Sequence, residues 1–324
     1  MVDVYLSIRG RVFLNIEALN MTESVGNYVK HRRVPVMLPI GDKYTVFFVP
    51  AISGESLAHG YQVTLAEEAL KHGLPVCRLC RDGIFLKSTN ENVYIASFDN
   101  KPSSDTFELE SSIIKNCVVE DVGGFLYAQK NLNVKRTSRF LTGYMIPVRE
   151  SIENTVIEPQ LHSRYALGTK FVENGQMIYY VEISSSIYAF AFDLDTKYIG
   201  RSTFTQGKIG NVVVNDRIER IKVALIALKK FLLESLYGAK KTRFMPDISW
   251  ESIILAVSGD IWTVPSPTVK SYINKAIGKL DVVSHNTRLH IYGYNGSITR
   301  DNTIVYDTFE EAVASAIKDA LERI

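Results

Sequence analysis

A chain of 324 residues with 46% hydrophobic and 22% charged side chains has room for about two domains, or for one core with large insertions, and is ordinary for a soluble globular protein. Its formal net charge of +2 excludes a uniformly basic surface, so an anionic polymer bound here needs clustered cations. Three cysteines exclude a disulfide framework, and the start MVDVYLSIRG shows no charged-then-apolar leader. No apolar run reaches membrane-spanning length, which points to the cytoplasm and away from a membrane partner.

Residues 4–16 (VYLSIRGRVFLNI) alternate apolar and polar side chains, predicting a first strand with one buried face and Gly10 at a bulge or close approach. The run after it has little periodicity. It carries Asn20, Thr22, Ser24 and Asn27, then Lys30, His31, Arg32 and Arg33, a cluster of cations mixed with small polar groups. Residues 44–49 form a strand ended by Pro50. Ser53 caps a helix from Gly54 to His72 that Gly73 stops, with Leu57, Tyr61 and Leu65 on its sheet-facing side. Its first turn holds Ser56 and His59 beside exposed N–H groups suited to an anion.

Residues 74–116 read as an insertion with short strands of its own. Cys77 and Cys80 form a single CxxC with no second pair; His72 offers a third ligand but a tetrahedral zinc site wants four, so the reading is a reduced structural pair with no metal. Residues 121–128 and 140–148 have strand composition and flank QKNLNVKRTSR. There Lys130, Lys135, Arg136 and Arg139 interleave with short polar side chains including Ser138, and Leu132 and Val134 are the apolar members. Cations beside hydrogen-bonding side chains suit phosphates, each of which takes one charge and one or two donors.

An irregular stretch at residues 150–174 contains His162 and Arg164, which point the same way on an extended strand. Residues 178–195 are the strongest strand, with a serine run at Ser184 where another backbone or a polymer can pass closely. Asn215 and Asp216 open a helix with Ile218, Ile221, Leu225, Leu228 and Leu232 inside and Arg220, Lys229 and Lys230 outward or flanking. It stops at Gly238, the start of a third cluster, GAKKTRF, with Lys240, Lys241 and Arg243; a glycine and cations between a helix end and a core strand can gather onto a phosphate. A strand at 248–257, a helix at 269–278, a strand at 288–294 and a terminal helix capped by Thr308 and Glu311 complete the chain.

Without its insertions the order is strand, helix, strands, helix, strand, the βαββαβ pattern of ferredoxin-like and RNA-recognition-motif folds. The fold class is therefore α+β, a modified ferredoxin-like or RRM palm with large insertions. The stacking aromatics of the usual RNA-recognition motif are not evident, so RNA contacts are expected from loops.

The runs FLNIEALNMTESVGNYVKHRRVPV, VPAISGESLAHGYQ, DVGGFLYAQKNLNVKRTSRFLTGYMIPV and GAKKTRFMP resemble the archaeal Csa-type, DevR-like backbone subunit of the type I-A CRISPR surveillance complex called Cascade, the seventh family of CRISPR-associated RAMP proteins. The likeness runs over most of residues 4–258. It implies a non-catalytic, hand-shaped protein whose copies polymerise along CRISPR RNA and leave its bases free for target DNA. Its partners would be the fifth-family RAMP subunit and the large and small subunits; no cofactor is implied. The resemblance divides the chain into a palm (1–73 and 178–258), a finger-like insertion (74–117), a thumb hairpin (118–148), a further insertion (149–177) and a C-terminal extension packed on the palm (259–324). RNA contacts would come from Asn15, Asn20, Ser24, Asn27, Lys30, His31, Arg32 and Arg33 after the first strand, and from Ser53, Ser56 and His59 at the helix start. Lys130, Lys135, Arg136, Ser138 and Arg139 would act in the thumb, with His162, Arg164, Lys240, Lys241 and Arg243 elsewhere. Leu132 and Val134 would displace bases from the thumb tip.

Three enzyme readings compete with it. One is an endoribonuclease processing repeat RNA with His31 or His162 as base, although neither has an evident partner at a fixed spacing. Target-RNA cleavage would want an aspartate after the first strand, where this chain has Glu23 and no aspartate. The third is an enzyme for a small phosphorylated ligand, separable by its weak response to salt.

Overall fold

The computed structural model describes residues 3–129, 132–165, 176–296 and 300–324. Lys130 and the side chain of Arg164 lie outside the described residues. The first strand, β1 (Tyr5–Glu17), leads into a small hairpin, β2 (Met21–Val25) and β3 (Tyr28–His31), and then a second, β4 (Arg33–Ile40) and β5 (Lys43–Pro50). Helix α1 (Gly54–Lys71) follows, then α2 (Arg78–Arg81), α3 (Glu91–Phe98), α4 (Thr106–Asn116) and α5 (Val118–Gly123). Next come the hairpin β6 (Phe125–Gln129) and β7 (Leu132–Arg136), and the short strands β8 (Phe140–Thr142) and β9 (Ile146–Pro147). Strands β10 (Val156–Tyr165) and β11 (Gln176–Asp195) precede α6 (Arg217–Leu233) and β12 (Asp247–Ser258). The chain ends with α7 (Tyr272–Val282), β13 (Arg288–Tyr292), β14 (Thr303–Tyr306) and α8 (Phe309–Arg323).

One sheet organises these elements, in the order β14-β13-β12-β1-β11-β3-β2. Strand β1 runs antiparallel to both neighbours, from Tyr5 opposite Asp195 to Glu17 opposite Ser184. Beyond the end of β1, β3 continues the same edge of β11 at Tyr180 and Val181, while β8, β9 and β10 line its other edge. Alternation along the strands makes two cores. Ile253, Leu255 and Val257 of β12 join Phe190 and Phe192 under α1, α6 and α8, whereas Ile254 and Ala256 face α7 with Trp262 and Leu289 on the opposite side. Gly10 is at a close approach, as expected: a Cβ there would lie 2.6 Å from the Trp250 ring.

Helix α1 follows its sequence signals, since the Ser53 hydroxyl accepts from Ser56 N at 3.3 Å and Gly73 turns the chain with φ +69°. Helix α8 does the same, with Thr308 Oγ1 accepting from Glu311 N at 3.2 Å. Residues 74–116 differ from the expectation, holding helices α2, α3 and α4 where short strands were expected. Their polar residues are caps: Asn90 Oδ1 accepts from Val93 N, and Asp105 Oδ1 from Phe107 N and Glu108 N. The expected strand from residue 121 begins only at Phe125, because Asp121 and Val122 belong to α5. Arg220 is corrected too: it is buried, donating to Asp216, Asp121 and the Ile114 carbonyl.

Two hairpins leave the body of the protein. In β4–β5, the pairs Pro35–Phe48, Met37–Val46 and Pro39–Tyr44 share one face, and Met37, Tyr44 and Phe48 are 64%, 74% and 70% exposed. The other is β10–β11, whose connecting residues 166–175 lie outside the described ones.

Candidate nucleic-acid interface

The chain leaving β1 is knotted by hydrogen bonds to segments far along the sequence. Asn20 Oδ1 accepts from Ser53 N at 2.7 Å, and its carbonyl accepts from Arg32 N at 2.9 Å. Ala239 N in turn donates to the Leu19 carbonyl at 2.9 Å. Two glycines permit this meeting. A Cβ on Gly60 would lie 2.0 Å from the Leu236 carbonyl oxygen, so only a residue without a side chain lets the loop after α6 rest on α1. Gly238 has φ +84° and sits against Leu19.

Between these segments runs a groove of about 690 Å³, lined by Asn20 and Met21, by Ser56, His59 and Gly60 of α1, and by Lys230, Gly238 and Lys241. It brings together the polar residues after β1, the first turns of α1 and the 238–244 loop. Lys241 donates to the Ser235 carbonyl and lies over the Tyr237 ring at 5.4 Å; burial pushes its pKa down. Lys230 pairs with Glu68 and Glu67, whose hydrogen bonds raise its pKa. Lys240 and Arg243 form no ion pair among the described residues.

The same loop reaches β10. Phe244 meets the His162 ring edge-on at 5.2 Å, and that ring stacks on Tyr179 at 5.2 Å. Beside them Asn27 Nδ2 donates to the Ile178 carbonyl at 3.1 Å and Tyr28 stacks on Tyr180 at 5.7 Å. A continuous surface therefore passes from Lys241 through Phe244 to the base of β10–β11. Asn15, tied to Asp247 at 3.1 Å, and exposed Ser24 flank it. Lys30 pairs with Glu23 at 3.4 Å and Arg33 with Glu182 at 2.8 Å, while Arg32 holds its Nε buried and unpartnered.

Several expected contact residues are not on this surface. His31 is buried, with Nε2 2.5 Å from Glu17 Oε1 and Nδ1 2.9 Å from the Arg32 carbonyl, so neither nitrogen is open to a phosphate or a proton transfer. Glu17 also accepts from Ser184, Tyr188 and Leu19 N. Burial alone would lower the His31 pKa and raise that of Glu17, but their mutual hydrogen bond and opposite charges prevail and move both the other way. Ser53 is buried and its hydroxyl is used as the helix cap.

The hairpin expected to be a thumb is packed down. Val134 is fully buried with Phe125 and Tyr127 against Tyr94, Leu109 and Ile113 of the helical insertion, and Leu132 packs partly on the same cluster. Neither is poised to separate bases, because alternation in a short strand turned them onto α3 and α4. Arg136 is buried as well. It meets Asp121 at 2.5 Å and Glu110 at 3.4 Å, and donates to the Tyr198 and Arg201 carbonyls at 2.7 Å. Ser138 Oγ bonds the Phe140 carbonyl, Arg139 lies over Tyr198, and Lys135 is exposed. The Arg139 carbonyl accepts from Asp195 N at the Tyr5 end of β1, whereas the groove lies at the Glu17 end, about 40 Å away along the strands.

Sequence reasoning missed the two projecting hairpins. For β4–β5 the signal was present, a Gly41–Asp42 turn between runs rich in β-branched and aromatic residues.

Residues 8–277 match the family model described as CRISPR-associated negative auto-regulator DevR/Csa2. The chain is 37% identical over 279 residues to CRISPR-associated protein Cas7/Csa2 1 of Saccharolobus solfataricus, covering 84% of this chain and 85% of that one. It is 36% identical over 314 residues to CRISPR-associated aCascade subunit Cas7/Csa2 2 of the same organism, covering 94% and 96%. Its fold is similar to that of chains in two solved CRISPR RNA-guided surveillance complexes. One, described as pre-nicking, has a TM-score of 0.54 at 10% identity and covers 98% of this chain and 99% of that one; the other has 0.50 at 11%, with the same coverage. By sequence, from β1 to α7, the chain belongs to the CRISPR-associated DevR/Csa2 family.

Proposed function

We propose that the protein is a non-catalytic backbone subunit of an archaeal type I-A CRISPR surveillance complex, polymerising along CRISPR RNA and presenting it for pairing with target DNA. The observation that carries the reading is the groove that joins the β1 end, the start of α1 and the 238–244 loop, in a chain of this family. A guide of arbitrary sequence has to be held by phosphate and ribose, which calls for cations, small polar groups and backbone N–H donors rather than a base-reading pocket. The relative named as an aCascade subunit supports membership of such an assembly, in which fifth-family, large and small subunits would be the partners. A ferredoxin-like palm is supported by the antiparallel order β12-β1-β11 with β8 and β9 beyond it. In this reading the helical insertion with β6–β7 is the finger, and β10–β11 takes the part of the thumb. His31, sealed by Glu17, has no place in a nuclease.

Anisotropy titrations of purified protein with labelled single-stranded RNAs of unrelated sequence test the reading. Equal affinities that fall steeply with salt are expected. Strong sequence dependence or salt-insensitive binding would overturn it, and so would cleavage of repeat RNA that disappears in His162→Ala.

A further inference from the structure

The helical insertion holds a second cluster of chemistry that the groove does not use. Cys77 caps α2, Cys80 lies within it, Cys117 joins α4 to α5, and Glu120 is one turn into α5. One ligand atom from each lies within 4.8 Å of all the others, and all four residues are buried. The backbone bond from Val118 N to the Pro75 carbonyl, 2.9 Å, clips the two segments together. We propose that Cys77, Cys80, Cys117 and Glu120 bind one zinc ion in a tetrahedral, structural site.

Four observations carry this. First, a tetrahedral zinc with Zn–S of about 2.3 Å sets its ligands about 3.8 Å apart, so atoms already within 4.8 Å need only small side-chain rotations to close on the ion. Second, the spacing is that of paired ligands: Cys77-x-x-Cys80 is matched by Cys117-x-x-Glu120, a carboxylate standing where a second CxxC would end. Third, thiols alone pack well as small apolar groups, but Glu120 does not; its Oε2 is buried beside Ser88 with no well-formed hydrogen bond among the described residues, and its Oε1 has only the Cys77 thiol at 3.8 Å. A disulfide would use two of the thiols and leave that carboxylate unexplained.

Fourth, a cation stands close by. A zinc dication with three thiolates and a carboxylate carries about −2, and Lys87, whose Nζ lies against Gly123 at the end of α5 and donates to the Gly124 carbonyl at 3.3 Å, offsets part of that charge. A cavity of about 320 Å³ lined by Cys77, Ser97 and Asn116 gives access from the surface. The ion would pin the α2 turn to the α4–α5 junction beside α1. Softness and geometry favour zinc: thiolates select it over magnesium or calcium.

Elemental analysis of the whole chain, purified with reductant and without chelator, tests this. About one zinc per chain is expected, released when a mercurial titrates the thiols. Cobalt exchange should give the intense visible bands of a tetrahedral thiolate site. Cys77→Ser with Cys80→Ser should lose the ion and lower the melting temperature. Glu120→Gln should keep the fold and lose zinc faster to a chelator. Zinc absent from the native chain even after reconstitution, a Cys77–Cys80 disulfide in the reduced preparation, or a coloured iron–sulfur cluster would each overturn the proposal. Because the native chain decides, a variant that fails to fold does not blunt the test.

Discussion

Nε2 of His31 lies 2.5 Å from Oε1 of Glu17, with both side chains wholly buried at the end of β1. The pair draws on opposite protonation states. The His31 pKa is raised above 6.5, so its contribution is complete below that value and is lost as pH rises through the folded pKa. The Glu17 pKa is lowered below 4.5, so its contribution is complete above that value and is lost as pH falls through the folded pKa. The pair therefore stabilises most between those two unfolded values. Wild type should lose denaturant stability between about pH 5.5 and about pH 8.5 by more than His31→Gln does. Parallel pH profiles would contradict the ion pair. Removing one partner, as in His31→Ala, should cost about 3–5 kcal/mol.

Arg136 should behave as a structural residue. Its guanidinium is shared between Asp121 and Glu110 in the interior, so Arg136→Ala leaves two carboxylates under-compensated and should destabilise by about 3–5 kcal/mol in urea unfolding. RNA affinity of the fraction that stays folded should change little. A large loss of affinity without loss of stability would return the residue to the interface.

Lys240 and Arg243 flank the groove, form no ion pair among the described residues, and are the sharpest test of it. Lys240→Ala with Arg243→Ala should weaken binding of unrelated single-stranded RNAs about equally. The slope of log affinity against log salt should flatten by about 1.4 for two phosphate contacts on a single strand. An unchanged slope would move the RNA path elsewhere.

The face of β4–β5 carrying Tyr44 and Phe48 is exposed and has no packing partner among the described residues. Tyr44→Ser with Phe48→Ser should leave unfolding free energy within about 0.5 kcal/mol of wild type, since neither ring is packed. Light scattering with long RNA should show fewer copies per RNA if this face meets a neighbouring copy. Loss of stability instead would show that the rings pack within the chain.

Local signals were legible wherever the physics was local. Ser53 and Gly73 bounded α1, Thr308 and Glu311 opened α8, alternation revealed β1, and apolar density revealed β11. Residues 74–116 were misread because Asn90 and Asp105, which favour loops and helix caps alike, could be resolved only by the helices that follow them. The fates of His31, Val134 and Arg136 depend on partners 14 to 26 positions or more away, such as Glu17 for His31 and Glu110 for Arg136, and no periodicity carries such pairings. The 238–244 loop and the run after β1 stood out by composition, but composition did not say that they meet. Gly60, which makes room for it, has no signal beyond being a glycine inside a helix.

The Arg136 network also decides what can swing. Asp121 binds Arg136 of β7, Arg220 of α6 and Gly200 N at once, so the helical insertion is riveted to a sheet-packing helix rather than hung from a hinge. It cannot close over a bound strand as a lid without breaking buried ion pairs. Any adaptation to a bound polymer would then fall to the two hairpins that leave the body, with the rest of the chain as their frame.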